Sequence, residues 1–121
     1  MLCDTNILIA YLNGEARIFA ILSRWKQERR VLYVSVATVT ELFAHPLITD
    51  KEGRRIETFL SFFTILPFDV RLAKHAAFLK RRYTLSFPDA VIAGTAWSKG
   101  IPLITRDKQL FKVKEVVVRS I

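Results

Sequence analysis

Apolar and polar positions follow two periods along this chain. Ile18, Ile21, Leu22 and Trp25 recur at i, i+3, i+4 and i+7, and Ile56, Phe59, Leu60 and Phe63 repeat that spacing. Each set predicts an amphipathic helix that buries one stripe. Leu72, Ala76, Leu79 and Tyr83 predict a third helix. Ala90 to Trp97 is apolar nearly all round and predicts a buried helix, stopped by Gly100 with Pro102 just beyond. Between the helices lie short β-prone runs poor in polar residues: VLYVSV (Val31 to Val36), TILPF (Thr64 to Phe68), PLIT (Pro102 to Thr105) and EVVV (Glu115 to Val118). Such runs predict strands covered on both faces, and MLC (Met1 to Cys3) predicts a clipped first strand. The order is strand, helices, strand, helices, strand, helix, helix, strand, short helix, strand. That alternation predicts an α/β fold, a three-layer α/β/α sandwich around a short parallel sheet of four to five strands.

The chain has 121 residues and is 51% hydrophobic, which suits one domain over residues 1–121 with a single sizeable core. There is no repeat, linker or low-complexity tract to divide it. Its one cysteine, Cys3, excludes an internal disulfide framework and leaves no CxxC-type zinc site. The apolar stretch from Ile7 to Leu12 is far shorter than a membrane span, and Asp4 with no basic residue before it is wrong for a signal peptide. A soluble protein of the cytoplasm is therefore expected, with no membrane partner.

Nineteen Lys and Arg against eleven Asp and Glu give a formal charge of +8. The basic residues cluster at Arg29-Arg30, Arg54-Arg55 and Lys80-Arg81-Arg82, which favours basic patches and contact with a polyanion such as RNA. Against that background four acids stand out, because each falls where a strand has ended and a helix begins. Asp4 follows MLC, Glu41 lies early in the helix after VLYVSV, Asp89 opens the buried helix in SFPDAVIAGTA, and Asp107 follows PLIT. Each also has a structural explanation. Asp4 and Asp107 suit helix N-caps, Thr38 and Glu41 have capping-box spacing, and Asp89 follows Pro88 in a first turn where the helix dipole favours an acid. Taken together they mean more. In a parallel sheet the carboxyl ends of the strands face one crevice, and four carboxylates gathered there repel one another unless a cation is bound. Hard oxygen donors suit Mg²⁺ or Mn²⁺, and the two histidines and one cysteine offer no zinc set.

DTNILI at the start, TELF in mid-chain and FPDAVIAGTAWSKGIPLITRDKQLF resemble a PIN domain, and within that superfamily the VapC-type ribonuclease toxins of prokaryotic toxin–antitoxin systems. The match in spacing runs nearly end to end. The specific combination is Asp-Thr-Asn after the first strand, Pro-Asp-Ala opening an apolar helix, and Thr-x-Asp just past the next strand. The resemblance carries the family's four acidic positions onto Asp4, Glu41, Asp89 and Asp107, and its polar helpers onto Asn6 and Thr105, with Thr5 a further candidate. It implies a Mg²⁺- or Mn²⁺-dependent endoribonuclease, commonly a homodimer, held inactive by an antitoxin protein. Only Met1, Leu2 and Cys3 precede Asp4, fewer apolar residues than family members usually carry. The first strand is thus expected to be short, or the native N-terminus longer.

The expected reaction is in-line attack of a metal-activated water on an RNA phosphodiester. Asp4 and Asp89 would be the principal metal ligands, Glu41 and Asp107 would complete the acidic pocket, and Asn6 and Thr105 would orient the ligands. Arg106, the cation nearest in sequence, would hold the RNA backbone. Asp69 reads as a helix cap, and His45 and His75 as unpaired surface or boundary residues. Phe62 falls off the stripe of its helix and suggests a partner groove or dimer face. Three alternatives stay open: a non-catalytic PIN-like RNA-binding module, an RNA-processing or DNA-directed nuclease outside any toxin system, and a metal-dependent phosphohydrolase acting on a small molecule.

Overall fold

The computed structural model describes residues 1–121. The elements run β1 (Leu2–Cys3), α1 (Thr5–Leu12), α2 (Ala16–Gln27), β2 (Tyr33–Ser35), α3 (Val36–Phe43), α4 (Asp50–Leu60), β3 (Thr64–Leu66), α5 (Val70–Arg82), α6 (Phe87–Lys99), β4 (Leu103–Ile104), a 3₁₀ helix (Lys108–Lys112) and β5 (Val118–Arg119). This is the order the apolar periods predict. All five strands pair in parallel, in the order β3-β2-β1-β4-β5. The chain leaves β1 toward β2 and β3, then crosses to β4 and β5 on the other side of β1. The strand order therefore reverses between β1 and β4, and a crevice opens past their carboxyl ends.

Helices cover the two faces of the sheet. Ile7, Ile18, Leu22, Trp25, Ile56, Phe59 and Leu60 from α1, α2 and α4 form one buried cluster with Cys3, Val34 and Ile104. Ala76, Leu79, Ala90, Ile92, Ala93 and Ala96 from α5 and α6 form the other with Leu2 and Leu103. Because successive side chains of β1 point to opposite faces, Leu2 and Cys3 serve different clusters. Helix α6 is buried from Ala90 through Ala96, as its all-round apolar sequence requires. It fits close against α5 because Gly94 has no side chain. A Cβ there would sit 3.0 Å from the backbone nitrogen of Ala76. Gly100 ends the helix in the left-handed conformation, φ 63°, that glycine adopts without strain.

Several boundaries differ from those the sequence suggests. Helix α4 stops at Leu60, so Phe63 completes the apolar stripe from the following turn, where it is still buried. Tyr83 is the extended C-cap of α5 and not its last turn. Val36 opens α3 instead of closing β2. Strand β5 begins at Val118, while Glu115 to Val117 precede it, because the pairing with β4 starts only at Val118 opposite Leu103. Strand β3 is not covered on both faces. It is an edge strand, and Thr64 and Ile65 remain exposed. The capping box expected of Thr38 and Glu41 does not form. Ser35 caps α3 by accepting the Ala37 N–H at 3.1 Å, which frees Thr38 and Glu41 to face α1.

Candidate active site

Asp4 leaves β1 at the reversal of strand order and caps α1. Its Oδ1 accepts the N–H of Thr5 at 2.7 Å, an N-cap bond at the positive end of a helix. The expected structural role is thus real, but it occupies only one oxygen. Oδ2 accepts the hydroxyl of Thr105 at 2.6 Å and the side-chain amide of Asn6 at 3.2 Å. Asp4 is only 4% exposed, yet both oxygens are held and oriented.

Thr105, fully buried just past β4, is the hub of this network. While donating to Asp4 it accepts from Asn6 Nδ2 at 3.2 Å and from the Asp107 N–H at 2.9 Å. Asn6 in turn accepts the Arg106 N–H at 3.3 Å. The turn after β4, which carries Asp107, is therefore fastened to the turn after β1, which carries Asp4. Asp107 caps the 3₁₀ helix by accepting the Gln109 N–H at 2.9 Å. Across the crevice, Glu41 accepts the Thr5 hydroxyl at 2.7 Å, and that hydroxyl also lies 3.0 Å from Thr38 Oγ1. Asp89 sits in the first turn of α6, fixed by its own N–H donating to Ser86 Oγ at 3.2 Å.

The electrostatics tie the four acids together. Burial pushes the Asp4 carboxyl up to about 6, the Thr105 and Thr5 hydrogen bonds hold it back, and the charges of Asp89 and Glu41 push it further. Asp89 is also raised, first by burial and then by the charges of Asp107 and Glu41. Each acid is thus within electrostatic reach of at least one other. As the side chains stand, however, no three acids, histidines or cysteines close around a point where they could hold a metal ion. Charge coupling links the four across one crevice, and the carboxylates of Asp4, Glu41 and Asp107 each accept a hydroxyl or backbone bond. The chemistry of the set fits a hard divalent cation: all donors are oxygens, none is paired with a Lys or Arg side chain, and Asp4 and Asp89 both bear the cost of unneutralised neighbours.

Three readings from sequence change here. Arg106 does not turn its side chain to the crevice. Its guanidinium forms a two-pronged pair with Glu15, with one bond at 2.8 Å, and a 3.4 Å bond to the Ile121 carbonyl. In this structure the fork is engaged by a carboxylate and not turned to the crevice. Thr5 takes a larger part than expected, because it holds Glu41. Thr38 and Ser86 were not singled out as site residues, although Thr38 lies three before Glu41 and Ser86 three before Asp89, a spacing that marks a cap and also a neighbour. Asp69 caps α5 through a 2.9 Å bond from the Leu72 N–H, and His45 accepts the Leu47 N–H. His75 is a boundary residue against Trp97, with a ring nitrogen that finds no partner.

The hub role of Thr105 has a measurable consequence. Thr105→Val keeps the shape but removes the donor to Asp4 and the acceptor for Asn6 and Asp107. Urea unfolding should show a loss of about 1–3 kcal/mol, the cost of leaving buried partners unsatisfied.

Comparison with known proteins places the fold. The PIN domain family matches residues 1–116. Ribonuclease VapC1 of Rickettsia felis is 30% identical over 93% of this chain and 88% of its own length. A toxin–antitoxin complex from Klebsiella pneumoniae contains a chain 30% identical to this one, with a TM-score of 0.81 over 96% of this chain and 94% of that one. VapBC2 from Rickettsia felis, solved bound to a DNA fragment from its promoter, has the same fold at 15% identity, with a TM-score of 0.85 over 99% and 97% of the two chains.

Proposed function

Since the chain belongs to the PIN domain family, we propose that it is a metal-dependent endoribonuclease, the toxin of a toxin–antitoxin pair, and that Asp4, Glu41, Asp89 and Asp107 are its working acids. The observation that carries this reading is the raised pair Asp4 and Asp89, pushed up in part by the charges of Glu41 and Asp107 in one crevice of a strongly basic chain. A structural set of helix caps would gain nothing from such crowding.

In this reading Asp4 and Asp89 hold Mg²⁺ or Mn²⁺, and Glu41 and Asp107 complete the pocket. When bound, the ion lowers the pKa of the attacking water and offsets charge building on the phosphate. The protein does the rest. Thr105 and Asn6 hold Asp4 Oδ2 while the Thr5 N–H holds Oδ1, so the carboxylate plane is fixed before a ligand arrives and Oδ1 keeps a lone pair to offer. Thr5 holds Glu41 by Oε1, which leaves Oε2 to accept a proton from the attacking water. Scattered exposed Lys and Arg attract the RNA backbone.

The partner surface follows from Phe62. It is 47% exposed, with the Lys26 ammonium 3.2 Å above its ring. Together with Tyr11, Phe19 and Phe59 it lines grooves that also present Arg54 and Arg55. We assign this apolar and basic surface on α1, α2 and α4 to the antitoxin. Homodimer formation and residence in the cytoplasm complete the proposal; no helix is long and apolar enough to cross a membrane.

Incubating a structured RNA with the protein in Mg²⁺, in Mn²⁺ and in EDTA tests the activity. Cutting in either metal and none in EDTA is expected. Binding without cutting under all three conditions would make the chain an RNA-binding module instead.

A further inference from the structure

Thirteen large apolar side chains are exposed, and two of them, Phe68 and Phe87, are aromatic rings packed against each other. Phe68 leaves the carboxyl end of β3, and Phe87 is the first residue of α6, two before Asp89. Both therefore lie along the sheet edge that carries the four acids. Phe68 is 39% exposed and Phe87 61%. Their rings meet edge to face, with centroids 6.0 Å apart and planes at 88°. An edge-to-face pair has a rigid mutual orientation and leaves a ring face open.

Neither ring belongs to a core cluster on either side of the sheet. Full burial of either ring would add stability that its present exposure forgoes. Exposed cations follow in the chain: Arg71 in the first turn of α5, three residues after Phe68, and Lys108 directly after Asp107. A flat apolar face, open to solvent, on the sheet edge that carries the acids of a strongly basic chain matches the chemistry of a nucleotide: a base with a π-face on a charged backbone.

We propose that Phe68 and Phe87 form a stacking platform for one unpaired base of the RNA, next to the phosphate held at the acid pocket. This rests on the ribonuclease reading above. A base stacked inside a duplex has no free face to offer, so the platform directs the enzyme to loops and single strands. Stacking accepts every base, so it selects RNA structure and not sequence. Two rings are too small a surface to hold a second protein by themselves, since a stable interface buries roughly 800 Å² on each partner.

The test uses the full chain carrying Asp89→Asn, so that RNA survives the measurement, and a short single-stranded RNA with 2-aminopurine in place of one base. Adding Phe87→Ala should weaken binding of this strand roughly 10- to 100-fold, with a blunt RNA duplex bound as before. Phe87→Trp should restore the affinity and quench the 2-aminopurine. In the active chain, Phe87→Ala should raise KM by the same factor with kcat within about threefold. Equal losses on strand and duplex, or no loss on either, would overturn the platform. So would light scattering that shows a wild-type dimer turned monomeric by Phe87→Ala, which would give this face to a second copy. Because binding is read in a chain that cannot cut, a failed ribonuclease reading would appear separately, as wild type that leaves RNA intact in every metal.

Discussion

Asp89→Asn should lose RNA cleavage by a factor of about 1,000 or more while still binding RNA. The substitution is nearly isosteric, and the backbone N–H of residue 89 still donates to Ser86 Oγ, so α6 keeps its first turn. What disappears is one negative charge from a crevice already shared by Asp4, Glu41 and Asp107. An amide oxygen is a far poorer partner for a hard cation than a carboxylate. If that charge contributes about 4 kcal/mol to the transition state, the loss is about three powers of ten in rate. Nothing in the change removes a basic residue, so affinity for the RNA backbone should persist. Parallel cleavage and binding assays check it. A variant that cuts at a tenth of the wild-type rate or faster would remove Asp89 from the chemistry and leave it as an acid in a helix's first turn.

The second expectation concerns the cost of the site. Asp4 is buried, and its carboxyl is raised to about 6 in the folded protein against about 3.9 in an unfolded chain. Protonation therefore favours the folded state. The contribution of Asp4 is most favourable below pH 4, is lost as pH rises from 4 through 6, and stays lost above. Two units correspond to about 3 kcal/mol. The other carboxylates and the +8 net charge also titrate or act across this range, so the comparison needs Asp4→Asn, which cannot ionise and keeps an N-cap oxygen. In EDTA, from pH 4.5 to 7.5, the variant should gain about 2 kcal/mol on the wild type by urea unfolding. Stability curves that run parallel would mean that Asp4 is solvated and carries no strain. Adding Mg²⁺ at pH 7.5 should stabilise the wild type and not the variant, because the ion binds only the folded site.

Much of this was legible in the sequence. The element order follows from two apolar periods, and the five strands and six helices occur in that order because each period leaves only one face, or none, open to water. Element ends were less legible. Phe63 continues a helical stripe in sequence but packs from a turn, and Val116 looks like strand although the pairing with β4 begins only at the Val117 carbonyl, which accepts the Leu103 N–H at 2.9 Å. Burial explains the first and pairing the second, and neither is a local property. The position of the four acids at strand ends is legible in sequence, whereas the side chains that hold them are legible only in part. Asn6 and Thr105 came from a family pattern. Thr38 was visible only as half of a capping box, and Ser35 formed the cap in its place. Proximity in sequence says nothing of Glu15, 91 residues away, which engages the Arg106 guanidinium.

The central claim is that Asp4, Glu41, Asp89 and Asp107 form a divalent-metal site. Calorimetric titration of Mn²⁺ into the RNA-free protein at pH 7.5 addresses it most directly, with the wild type beside Asp4→Asn and Asp89→Asn. The account predicts saturable binding by the wild type that weakens at least tenfold in either variant. Wild type that takes up no Mn²⁺, or variants that bind it equally well, would contradict it.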